Sequence, residues 1–215
     1  MILCMARKKR RRFAELVKMD NVVDGRRSER GWFEQIFGLE GAVLLELGCG
    51  RGEYTLALAR SRPERGALGV DRNGGRLWKG ARAALDEGLV NAVFLRSPIE
   101  YLEDHVPPGR VGEIWLPFPD PLPKNRQARH RLLAPLFLER YRRLLCPGGS
   151  VHLRTDDAGL VDFAEQSVRA VGGGVLAGVD GVTDSGDGVA AVQTTYEKRY
   201  RAEGRTIYER AFRLD

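Results

Sequence analysis

Residues 42–52 read AVLLELGCGRG, and the reading of this stretch decides the fold. Ala42–Leu47 is an apolar run of strand length interrupted by one acid, Glu46. Gly48, Gly50 and Gly52 follow at once, and Tyr54–Arg60 then has the look of a helix. Glycines between a strand and a helix let the backbone bend tightly and let a ligand approach without meeting a Cβ atom. In an open α/β sheet that strand end is the expected ligand crevice. The G-x-G-x-x-G spacing of a dinucleotide fold is not met, because Glu53 occupies the final glycine position. An acid ahead of the first glycine also suits a cationic ligand better than a pyrophosphate.

Outward from the turn the same alternation continues. Ala67–Val70 reads as a second buried strand and ends in Asp71, placed to accept hydrogen bonds from a ribose diol. Arg76–Glu87 follows as a helix with Leu77, Ala81, Ala84 and Leu85 on one face. Ala92–Leu95 and Glu113–Leu116 are the third and fourth strands; Leu136–Leu145 is a helix stopped by Pro147-Gly148-Gly149. Ser150–Arg154 is the fifth strand and Leu160–Val171 another helix. Residues 172–188 are rich in Gly, Asp and Val and predict a weak strand, then a flexible loop. TTYEKRYRAEG (194–204) is a short basic helix, and TIYERAFRL (206–214) an alternating strand. Strands alternating with helices predict a Rossmann-like, doubly wound and mostly parallel sheet, here with an antiparallel C-terminal strand.

Composition narrows the function classes. The chain of 215 residues carries net charge +6, and its basic side chains are mostly arginine. A basic balance of this kind fits a polyanionic partner, and an arginine-rich codon bias fits it equally. Arg7–Arg12 are six consecutive basic residues, either a solvated arm or a nucleic-acid tether. Translation beginning at Met5 is an alternative to Met1. No apolar run approaches the roughly 20 residues that span a bilayer, and no hydrophobic stretch follows the N-terminal charges as a secretory leader requires. Cys4, Cys49 and Cys146 form no C-x-x-C pair, which argues against disulfides and structural zinc and suits the cytoplasm.

The fourth strand runs into PFPDPLPKNRQARHRL (117–132). Four prolines on alternate residues exclude helix interior and central strand. This is a rigid loop with one acid, Asp120, followed by the basic Lys124, Arg126, Arg129 and Arg131.

Glu46, the glycine turn and Asp71 together resemble motifs I and II of class I S-adenosylmethionine-dependent methyltransferases; on these residues alone a nicotinamide enzyme stays open. Pro117–Arg126 resembles the signature of the tRNA (guanine-N7)-methyltransferases. Gly69-Val70-Asp71 with Arg76–Ala81, Thr155-Asp156, Thr194–Glu197 and the basic N-terminal run resemble further motifs of that family. The resemblance implies methyl transfer from S-adenosylmethionine to N7 of a guanosine in the tRNA variable loop (position 46 of the tRNA). It implies that Glu46, Gly48, Gly50 and Asp71 bind the donor and that Asp120 faces donor and guanine, as the catalytic carboxylate. Lys124, Asp156, Thr194, Tyr196 and Glu197 would contact the substrate, with Arg126, Arg129 and Arg131 on RNA. It divides the chain into a basic N-terminal arm and helix (1–40) and a methyltransferase domain (41–215), with tRNA as partner, no metal, and a monomer or weak homodimer.

Two departures stand out. Where the family often has an acid or amide after the third strand, this chain has Arg96-Ser97-Pro98-Ile99-Glu100, and it reads RQARHR where many relatives place an Arg-His pair directly after the lysine. The alternatives are a methyltransferase acting on a small molecule or another RNA, and an RNA-binding module that has lost donor binding.

Overall fold

The computed structural model describes residues 11–38, 41–182, 192 and 194–214. The chain divides into two compact units, residues 1–106 and 107–215.

In the first unit a helix, α1 (residues 11–16), precedes β1 (Val22–Asp24) and α2 (Trp32–Phe37). Then come β2 (Val43–Leu47), α3 (Glu53–Ser61), β3 (Ala67–Val70), α4 (Gly74–Asp86) and β4 (Ala92–Arg96). The strands lie in the order β1-β4-β3-β2, and every pair among them is parallel. Every residue of β2 and β3 is buried, which is why they read as near-continuous apolar runs rather than alternating ones. Gly69 explains how closely α3 rides on β3. A Cβ there would lie 2.4 Å from Thr55 Oγ1 and 3.0 Å from Cys49 Sγ.

The N-terminal helix is docked on this unit. Leu16 is buried, Trp78 Nε1 donates to Glu15 at 2.9 Å, and the Arg12 guanidinium lies over the Trp78 ring. Arg7–Arg10 lie outside the described residues.

The second unit holds β5 (Val111–Pro117), α5 (Pro135–Leu144), β6 (Leu145–Thr155) and α6 (Ala158–Ala170). β7 (Gly174–Asp180), α7 (Thr195–Ala202) and β8 (Tyr208–Arg213) complete it. Its strand order is β5-β6-β8-β7, with β5 and β6 parallel and β8 antiparallel to both neighbours. The antiparallel C-terminal strand therefore forms as expected. β6 begins at Leu145, five residues earlier than the expected start at Ser150. The Pro147-Gly148-Gly149 stop does end the helix, but a register shift carries the pairing from Val111↔Leu145 to Glu113↔Ser150, so the strand continues through it. The loop expected to follow β7 lies largely outside the described residues.

Candidate active site

β2 delivers Glu46 to the C-terminal edge of the first unit, where it is almost fully buried. Its Oε2 accepts the Thr55 amide at 2.7 Å and the Thr55 hydroxyl at 2.5 Å. Burial pushes the carboxyl up from 4.5 to about 8, against those two hydrogen bonds and with the help of the charges on Glu53 and Asp71. The turn that follows is left-handed at Gly48, Gly50 and Gly52, with φ of 71°, 55° and 73°. It is pinned to the end of β3: the Val70 carbonyl accepts the Gly48 and Cys49 amides, and Asp71 Oδ2 accepts the Gly50 amide at 2.9 Å. Asp71 Oδ1 accepts the Asn73 amide at 2.7 Å, and Asn73 caps α4. Both acids therefore shape the turn, and both sit where the sequence places them. Burial also raises the Cys49 thiol well above its usual value.

These residues fit a methyl donor on an observation of their own. A Cβ built on Gly48 would meet nothing within 4 Å, and one on Gly50 only the Gly48 carbonyl at 3.9 Å, so there is open space against the turn. Arg72, Asn73, Ser97 and Pro98, at the ends of β3 and β4, line a cleft of about 860 Å3 together with Phe13 and Arg96. Ser97 and Pro98, the residues that replace an acid or amide, thus form part of its wall. Arg96 is held by Asp24 at 3.0 Å and lies over the Phe13 ring.

The second unit carries the remaining expected residues. Phe118 and Leu122 both have positive φ, 50° and 44°, which non-glycine residues adopt at a cost. Each is clamped. The Phe118 amide donates to the Arg154 carbonyl at 2.7 Å, and its ring meets Tyr200. The Leu122 carbonyl accepts the Arg131 fork at 3.1 and 3.3 Å, and that guanidinium also lies over Phe163. Between the clamps Asp120 is exposed and, among the described residues, makes no hydrogen bond or ion pair. Lys124, Arg126 and Arg129 are exposed on the following 3-10 turn (Asn125–His130) and its N-cap, whereas Arg131 is turned into the loop.

The start of α7 is more internal than a binding segment need be. Thr194 is buried and its hydroxyl caps the helix by accepting the Glu197 amide. Glu197 is 0% exposed, with Oε1 2.9 Å from Arg154 Nη2 and 2.8 Å from Arg201 Nη2. Tyr196 is 52% exposed. Asp156 pairs with Arg205 at 2.5 Å, and Arg205 lies over Tyr200. Loop, α7 and Asp156 therefore meet at Tyr200 within the second unit. Sequence reasoning missed Thr55, Asn73, Arg154, Tyr200 and Arg205. Of these only Arg154, the charged last residue of the expected strand Ser150–Arg154, left a visible signal.

A glycine turn bracketed by acids at the end of a parallel strand, within this strand order, defines a Rossmann-like class I methyltransferase. Solved structures agree on the fold. The chain superposes on the 16S rRNA methyltransferase KamB with a TM-score of 0.66 at 19% identity, over 85% of this chain and 92% of that one. It superposes on the antibiotic-resistance methyltransferase Kmr with a TM-score of 0.61 at 20% identity, over 87% and 93%. A family profile described as "Putative methyltransferase" matches residues 40–210. The tRNA (guanine-N(7)-)-methyltransferase of Christiangramia forsetii is 36% identical over 97% of this chain and 99% of that protein. The enzyme of the same name from Cytophaga hutchinsonii is 40% identical over 74% and 73%. The chain belongs to the tRNA (guanine-N7)-methyltransferase family.

Proposed function

We propose that this protein transfers the methyl group of S-adenosylmethionine to N7 of a guanosine in the tRNA variable loop. The observation that carries the reading is the unpaired carboxylate of Asp120, held between two clamped, left-handed residues in the segment that bears the family signature. S-adenosylmethionine supplies an electrophilic methyl on a cationic sulfur. Guanine N7 already has a free lone pair, so no general base is needed. What the protein must supply is placement, and placement can provide most of the barrier reduction. The ring becomes positive on methylation, and Asp120 stabilises that developing charge from a fixed position.

Glu46, Gly48, Gly50 and Asp71 hold the donor. Lys124, Asp156 and Tyr196 form the guanosine side, with Tyr196 the aromatic surface exposed to a base. The buried Thr194 and Glu197, expected to contact the substrate, instead fix the start of α7 behind it. Arg126 and Arg129 take phosphates, while Arg131 acts on RNA through the loop it holds. Among the described residues no group of His, Cys, Asp and Glu could hold a metal, and no helix is long and apolar enough to cross a membrane. We place the activity in the cytoplasm, in a monomer or weak homodimer.

The test supplies methyl-labelled donor with unmodified tRNA and identifies the labelled nucleoside. The expected product is 7-methylguanosine from the variable loop. A methyl group on any other atom overturns the proposal.

A further inference from the structure

The second unit contains a buried charge that no assigned role requires. Arg154 is 2% exposed, on a strand whose neighbours Val151, Leu153 and Thr155 are themselves buried. A buried ion pair is a poor way to gain stability, since well-packed apolar residues of similar volume do as well or better. What such a pair can provide is one particular geometry, and the contacts of Arg154 say which.

Its main chain and its side chain hold different segments. The Arg154 carbonyl accepts the Phe118 amide, which fixes the first left-handed residue of the proline loop. The guanidinium reaches the other way: Nη2 lies 2.9 Å from Glu197 Oε1, Nη1 donates to the Val192 carbonyl at 3.4 Å, and Nε lies 3.9 Å from Glu209. Arg201 closes on the same Glu197 oxygen from one turn further along α7. The two segments held this way also touch directly, through Phe118 and Tyr200.

We propose that Arg154 is a positioning residue for methyl transfer. It sets the register between the loop carrying Asp120 and the helix start Thr194–Glu197, and it touches neither substrate nor donor itself. The inference rests on the functional reading above. A fixed planar fork suits the task, because one guanidinium can serve a carboxylate and a carbonyl at once, whereas a lysine ammonium is a point charge on a flexible stem.

The experiment measures kcat and KM for unmodified tRNA, donor affinity by calorimetry, and the thermal midpoint, for wild type, Arg154→Lys, Arg154→Met and Arg201→Met. Small misplacement in an active site costs on the order of a hundredfold in rate. Arg154→Met should therefore lower kcat by about that factor, while donor affinity stays within about twofold. Arg154→Lys should lower kcat about tenfold despite keeping the charge, and Arg201→Met, which leaves the Arg154 fork in place, should lower it less than either. If Arg154→Met fails to fold, the lysine variant carries the same test. Two results overturn the proposal: a folded Arg154 variant with wild-type kcat, or donor affinity falling in step with kcat. Wild-type protein that methylates no tRNA overturns the functional reading instead.

Discussion

The glycine turn and the proline loop solve opposite problems. In the turn, both acids are engaged by the protein: Glu46 accepts two hydrogen bonds from Thr55, and Asp71 accepts amides from Gly50 and Asn73. In the loop, backbone strain at Phe118 and Leu122 is absorbed by Arg154 and Arg131, and the acid between them is left with no partner among the described residues. Carboxylates spent on shaping backbone build a cradle, and a carboxylate kept unpaired is available for chemistry. Binding and chemistry should then be separable by mutation.

The largest expected effect is at the loop. Asp120→Asn should lower kcat about 100- to 1000-fold, the range for loss of a preorganised charge-stabilising group. Donor affinity should change only several-fold, and stability by no more than about 0.5 kcal/mol, since the side chain is exposed. Calorimetry and single-turnover rates on one preparation check both. A parallel loss of affinity and rate would erase the distinction between the two regions.

Next comes the turn. Gly69→Ala pushes a methyl into Thr55, whose contacts hold Glu46, and overpacking of this kind typically costs about 1–3 kcal/mol. Denaturant unfolding should show that loss together with weaker donor binding, while rates at saturating donor fall little.

A smaller effect concerns pH. Glu46 has its carboxyl raised from 4.5 to about 8, so its contribution to stability is fully present below about pH 4.5 and is lost as pH rises through about 8. Donor binding should run the other way. A cationic ligand favours the ionised carboxylate, so binding displaces its proton and affinity should rise with pH up to about 8. Glu46→Gln should flatten that part of the profile. A slope that survives the substitution would assign the proton to another group.

The smallest effects belong to single phosphate contacts. Arg126→Ala or Arg129→Ala should each lower the slope of log affinity against log salt by about 1. Arg131→Ala should instead lower kcat, because that guanidinium holds Leu122.

The division between the regions also marks how much could be read from sequence. The turn was legible because its parts are local: strand, glycines and acid lie within 42–52, and Ala67–Val70 with Asp71 has the bounds the sequence suggests. The rigid loop around Asp120 was legible because four alternate prolines exclude helix interior and central strand, whereas the role of Asp120 came only from the family resemblance. β1 was not, since three residues show no period and its pairing of Val22 with Phe94 is tertiary. Glu197 is expected from the resemblance to contact the substrate, yet it is buried against an arginine from a distant strand. Nothing near residue 197 announces that partner. The strained residues Phe118 and Leu122 were hidden for the same reason, because their clamps come from Arg154 and Arg131.

The most direct test of the central claim removes the nucleophile while keeping the shape. A tRNA transcript carrying 7-deazaguanosine has a carbon in place of N7 and no lone pair there. Single-turnover assays with wild-type protein should show normal binding and no methyl transfer to the variable-loop position. Methyl transfer at a rate close to that of the unmodified guanosine transcript would contradict the account.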